Sequence, residues 1–168
     1  MPVSYQIRSD LPERPSKTIR TGPSLRQRAL RLLARREHSR HELIQKLTPH
    51  ETVPGELAQV LDEFAAKGLI DEDRVVDMLL HRHAPRSGHM RLRQTLSQKG
   101  LTEDRIEAAL ANLTVSEFDR ARALWQRRYG RVAQTPNEQA RQARYLAGRG
   151  FAADVVRRVL KAATQEEG

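Results

Sequence analysis

The 168 residues carry 30 basic and 21 acidic side chains, a formal charge of +9, with 38% hydrophobic but only 4% aromatic residues. So lean an aromatic content leaves Leu, Val, Ile and Ala to build the core, which favours packed helices over a β-sandwich. The absence of cysteine excludes disulfides, thiol nucleophiles and cysteine-ligated metals. With no apolar signal-peptide core and no run long enough to cross a bilayer, a cytoplasmic protein without membrane partners is expected.

Residues 1–23 hold four of the eight prolines and no helical periodicity, and read as a flexible N-terminal arm. From Ser24 the chain breaks into nine short amphipathic segments. The first runs from Ser24 to about Glu37, with Ser24 and Gln27 in capping-box spacing and Leu25, Ala29, Leu32 and Leu33 on one face. Ser39 and Glu42 repeat the device ahead of Leu43, Ile44 and Leu47. A third segment starts at Pro54, carries Leu57, Val60, Leu61, Phe64 and Ala65, and stops at Gly68 with Leu69 as a closing contact. The fourth begins at Asp71 and breaks around Pro85, the fifth runs from Gly88 to Lys99 and Gly100, and the sixth starts at Thr102. Ser116 opens the seventh, which carries Phe118, Ala121, Leu124 and Trp125 and ends at Tyr129 and Gly130. Trp125 is expected in the core. Thr135, Pro136 and Glu138 start the eighth, Gly150 ends it, and the ninth holds Val155, Val156, Val159, Leu160 and Ala163.

Three of these segments make one repeat. Residues 96–110, LSQKGLTEDRIEAAL, align without a gap on residues 146–160, LAGRGFAADVVRRVL, pairing Gly100 with Gly150, Leu101 with Phe151 and Leu110 with Leu160. At an offset of 49, Leu43, Leu47, Leu57 and Leu61 fall over Leu92, Leu96, Ile106 and Leu110, although this first copy lacks the glycine. The expected fold is therefore all-α: three tandem three-helix repeats over 24–70, 71–114 and 115–164, forming an elongated, curved array in which each unit buries apolar surface against its neighbour.

All but five of the basic residues are arginine, whose planar fork suits bidentate contact with phosphate or carboxylate. They run in stretches. No acid interrupts Arg14 to Arg36; only Arg82, Arg86, Arg91, Arg93 and Lys99 are charged between Asp77 and Glu103; eight arginines from Arg120 to Arg149 face Glu138 alone. The acids gather at Asp62 and Glu63, Asp71 to Asp73, Glu103, Asp104 and Glu107, and Glu166 and Glu167, several in helix first turns where the macrodipole accounts for them. The basic stretches fall on the first and second helices of each unit and read as one interrupted basic face.

No phosphate loop, nucleophile elbow or paired-carboxylate pattern is present, so an enzyme is not expected. His38 with His41, and His81 with His83, lack a carboxylate spaced to complete a metal site, and no cofactor is indicated.

The repeats, and in particular ALRLLARREHSRHEL in the first, LRQTLSQKGLTEDRIEAAL in the second, and ALWQRRYG followed by RYLAGRGFAADVV in the third, resemble the RecX family of bacterial regulatory proteins over about residues 25–162. The departures are the missing glycine of the first unit, the His83–Ser87 linker, where the family often has a more glycine-rich turn, and the N-terminal arm. The resemblance implies a monomer that lies along the RecA recombinase filament, touches several protomers and sequence-independent single- and double-stranded DNA, and inhibits strand exchange, ATP hydrolysis and coprotease activity. Carried over by position, the contact residues are Arg26, Arg31, Arg35, Arg36 and Arg40, then Arg82, Arg86, Arg91, Arg93 and Lys99, then Arg127, Arg128, Arg141, Arg144 and Arg149. The rival reading is a helix-turn-helix transcription regulator, since short helices ending in AAKGLI suit such motifs. That rival requires base contacts concentrated on one recognition helix.

Overall fold

The computed structural model describes residues 22–166, so the arm expected over 1–23 lies outside the described residues except for Gly22 and Pro23. The described residues form α1 (Leu25–Leu33), α2 (Arg40–Leu47), α3 (Glu56–Ala66), α4 (Glu72–His83), α5 (His89–Ser97), α6 (Glu103–Ala111), α7 (Glu117–Arg128), α8 (Pro136–Ala147) and α9 (Ala153–Glu166), with 3-10 turns at Thr48–His50 and Ala84–Arg86 and no strand.

Local capping chemistry places most helix starts. Ser24 and Ser39 each close a complete capping box with Gln27 and Glu42, satisfying two N-terminal amides reciprocally. The Asp71, Ser116 and Thr135 side chains accept from amides of the following turn. Glu138 turns its carboxylate to the Gln134 N–H instead of completing the box. Two boundaries differ from the periodicity. The first helix ends at Leu33 rather than near Glu37, and the third starts at Glu56, because Gly55 at φ +86° sits between Pro54 and the helix. After Gly68 the closing contact is made by Ile70, which is buried, while Leu69 is largely exposed.

Each trio of helices closes on its own core. Leu25, Leu43, Leu47, Leu61 and Phe64 fill the first, Val75, Leu92, Leu96, Ile106 and Leu110 the second, and Ala121, Trp125, Leu146, Phe151 and Val159 the third. Full burial of such side chains contributes roughly 1.5–3 kcal/mol each. Trp125 is in the core as expected, with its indole N–H donating to Gln142 Oε1 at 2.8 Å, which satisfies the one polar atom it takes inside.

The three clusters stay separate, so the units are not joined by a shared apolar core. They are joined by helix ends. The Ser39 hydroxyl at the start of α2 donates to the Lys99 carbonyl just past α5 at 2.6 Å. At the start of α5, Gly88 N–H donates to the Arg149 carbonyl at 3.0 Å and Met90 N–H to the Gly150 carbonyl at 3.2 Å, both just past α8. In both junctions carbonyls left over at one helix C-terminus meet donors at the preceding unit's helix N-terminus, the sense that helix dipoles favour. This explains the repeated glycine. A Cβ at Gly100 would strike His41 in α2, and one at Gly150 would lie 2.6 Å from the Arg91 backbone nitrogen in α5. Glu51, in register with Gly100, instead accepts from Leu57 N–H within the first unit.

Candidate functional site

The fifteen cationic positions singled out from the sequence divide into two sets. In the first set the charge is already matched inside the molecule. Arg26 pairs with Glu63, which also takes Lys67; Arg40 pairs with Asp62 at 2.6 Å; Arg93 pairs with Glu103 and Glu107. Arg36 and Lys99 converge on Glu42, at 2.8 and 2.7 Å. Burial pushes the Glu42 carboxyl upward, but the Arg36 and Lys99 donors and the Ser39 N–H together outweigh it and hold the group at about 2.

In the second set no carboxylate neutralises the arginine among the described residues. Arg31 and Arg35 are exposed on and just beyond α1, Arg82 on α4, Arg86 in the 3-10 turn after it, and Arg141 and Arg144 on α8. Arg91 donates to the Gly148 carbonyl at 3.2 Å, and Arg127 to the Pro85 carbonyl at 3.1 Å. Arg128 and Arg149 lie over the Tyr145 ring at 5.9 and 5.2 Å from its centroid, contacts that leave the positive charge unopposed. Tyr129 packs edge-on against the same Tyr145, at the rim of the third core.

The second and third units bring the largest group of these cations together. His83 reports it: burial first, then the positive charges of Arg82, Arg86, Arg91 and Lys99, push its pKa down. Arg127 reaches into the same region through its bond to Pro85, and Arg149 through its carbonyl on Gly88. The result is a surface on which Arg82, Arg86, Arg91, Arg127, Arg128 and Arg149 come from three helices, one 3-10 turn and the segment just past α8. Fields of like charge gathered in this way attract polyanions and concentrate counterions for release.

Three charged groups with structural weight were not singled out from the sequence. Glu42 was read only as a capping residue, yet it is the buried acceptor of the first junction. Glu117 takes the same place in the second, accepting from His89 N–H at 2.9 Å and Ala152 N–H at 3.4 Å. Arg120 is buried on the inner face of α7, where its spacing from Ala121 and Leu124 was the available signal. His38 is buried with Nδ1 donating to the Arg36 carbonyl at 3.0 Å, and burial pushes its pKa down. No group of His, Asp or Glu among the described residues is placed to hold a metal ion, and no described helix is long and apolar enough to cross a membrane.

Fold and surface together define an all-helical tandem-repeat protein with a distributed arginine surface. Family models describing the first and third three-helix domains of RecX match residues 26–64 and 116–160. The chain is 48% identical to the regulatory protein RecX of Leptothrix cholodnii, over 85% of this chain and 91% of that one. It is 40% identical to that of Ralstonia nicotianae, over 83% and 88%. A crystal structure of RecX from Lactobacillus salivarius superposes with a TM-score of 0.70 at 19% identity, covering 84% of this chain and 95% of that one. This chain belongs to the RecX family of regulatory proteins.

Proposed function

We propose that this protein is a non-enzymatic, cytoplasmic, monomeric regulator that binds the RecA filament on DNA and inhibits strand exchange, ATP hydrolysis and coprotease activity, and so acts in DNA repair, recombination and the SOS response. Family membership supports the regulatory role, and one observation carries the mode of binding: arginines without carboxylate partners gather at the junction of the second and third units. Such a surface suits sequence-independent contact with phosphates along a groove, because it offers charge from several helices rather than one recognition helix. Of the units, delimited at 24–70, 71–114 and 115–164, the second and third supply this surface, and the first adds Arg31 and Arg35 at α1. Arg31, Arg35, Arg82, Arg86, Arg91, Arg127, Arg128, Arg141, Arg144 and Arg149 are the contacts proposed first, while Arg26, Arg36, Arg40, Arg93 and Lys99 must exchange an internal partner to take part.

The test is a RecA ATPase assay on single-stranded DNA titrated with this protein. Inhibition at substoichiometric ratios to RecA is expected, since one array spans more than one protomer. Inhibition only when the protein saturates the DNA sites would leave simple competition for DNA as the account. Footprinting that finds one preferred sequence would favour the transcription-regulator reading instead.

A further inference from the structure

A groove of about 600 Å³ runs between α8 and α9 of the third unit. Ala140, Ala143, Val156 and Leu160 form its floor, and Arg157 and Lys161 stand on its α9 side. The lining holds no acidic residue and none of the fifteen cations considered above. At Gln139, Leu160 and Thr164 the groove shares its wall with a narrower recess of about 230 Å³ that reaches Trp125 and Gln142.

Both cations are exposed, and neither has a carboxylate partner among the described residues. They sit four residues apart on α9, where like charges repel and weaken a helix slightly, so an anion placed beside both is favoured. The floor makes a different demand. Half-buried Ala140, Ala143 and Leu160 leave apolar surface open to water next to these charges, and the two alanines are small enough to let a further helix approach α8 closely. From Val156 to Gln165 the α9 wall is roughly 14 Å long at the α-helical rise per residue, enough for about two and a half helical turns.

We infer that this groove docks an acidic amphipathic helix of a partner protein, with its apolar face on Ala140, Ala143, Val156 and Leu160, one apolar side chain entering the recess at Trp125, and Asp or Glu carboxylates beside Arg157 and Lys161. Charge complementarity selects this occupant. A second copy docked through the same groove would bring the same two cations against each other, and the chain's own residues 1–21 carry four cations against two acids. Nucleic acid would meet the two cations but leave the apolar floor uncovered. The groove goes beyond the phosphate-binding surface proposed above, and its occupancy is read with neither DNA nor RecA present.

The test titrates the full chain with two acetylated, amidated peptides, one built from two repeats of Glu-Leu-Ala-Glu-Leu-Leu-Ala and one with Gln in place of every Glu, so that Leu recurs at helical i, i+3 and i+4 spacing. Calorimetry gives the affinities, and the emission of Trp125, the only tryptophan, reports the recess. At low salt the Glu peptide is expected to bind about fivefold more tightly than the Gln peptide, the scale of two exposed ion pairs, with the difference shrinking as salt is added. Both peptides are expected to shift the Trp125 emission at saturation. Arg157→Glu with Lys161→Glu, both at exposed positions, should make the Gln peptide the tighter ligand. Ala140→Tyr should weaken both peptides by filling the floor, and the charge reversal carries the test alone if that variant misfolds. Equal affinities at low salt, absence of saturable binding, a preference for Glu that survives the charge reversal, or unchanged Trp125 emission at saturation would each overturn the inference. So would self-association of the parent chain, or binding of a single-stranded oligonucleotide, that Ala140→Tyr abolishes.

Discussion

The two junctions between units are built on the same plan and differ in electrostatics. At the first, Ser39 meets Lys99 and a buried carboxylate, Glu42, gathers Arg36 and Lys99 around itself. At the second, Gly88 and Met90 meet Arg149 and Gly150, but the corresponding carboxylate, Glu117, is satisfied by backbone amides and the nearby imidazole of His89 at 3.4 Å. The first junction therefore consumes cations to hold the units together, and the second leaves them available. A repeat that keeps one docking geometry can in this way neutralise cations at one junction and leave them without carboxylate partners at the other.

The largest expected effect comes from glycine. Gly150→Ala forces a φ of +81° on an alanine and drives its Cβ against the Arg91 backbone, which only separation of the units relieves. A loss of about 3 to 5 kcal/mol in denaturant unfolding is expected, from left-handed strain and overpacking together. Gly100→Ala, at a φ of +76°, meets His41 Cβ, which the α2 backbone fixes in place, and should cost a similar amount, about 3 to 5 kcal/mol. A cost near zero in either variant would show that its junction does not depend on the glycine.

Next in size is the carboxylate pair. Glu42→Gln leaves Arg36 and Lys99 with a neutral acceptor in a buried place and should cost about 2 to 3 kcal/mol, below the range for fully buried pairs because both cations keep access to water. Glu117→Gln retains an oxygen for the His89 and Ala152 amides and should cost about 1 kcal/mol. Chemical denaturation of the two variants side by side checks the difference.

The pH dependence sharpens the same contrast. The Glu42 pKa is lowered on folding, from 4.5 to about 2, so its contribution is present above 4.5 and is lost as pH falls from 4.5 through 2. Thermal unfolding midpoints of the parent should fall across that window, and those of Glu42→Gln should fall less steeply. The remaining slope belongs to Glu63, held at about 2 by Arg26 and Lys67, and to Asp71, held below its ordinary value chiefly by the Arg74 amide.

Helix starts, stops and the repeat were legible in the sequence because caps are local: Ser24, Ser39, Ser116 and Thr135 act within four residues of themselves. The glycines were legible only as stops. Their second role, accepting the preceding unit, depends on residues as distant as His41 from Gly100. Charge was the least legible feature, since Arg26 meets Glu63 and Lys99 meets Glu42 across 37 and 57 residues. Acid-free runs in the sequence therefore overstate how much positive charge stays unopposed in the fold. Arg120 shows the converse, a basic residue in such a run that the packing removes from the surface altogether.

The most direct test of the division between junctions is the salt dependence of DNA binding, read by fluorescence anisotropy for two double variants. Arg82→Gln with Arg86→Gln, at the second junction, should weaken binding and flatten the log-affinity against log-salt slope by about two units, one for each phosphate that is no longer neutralised. Arg26→Gln with Arg40→Gln, whose guanidinium groups are already matched to Glu63 and Asp62, should leave both affinity and slope close to the parent's. Equal losses in the two variants would contradict the account, because paired and unpaired arginines would then contribute alike.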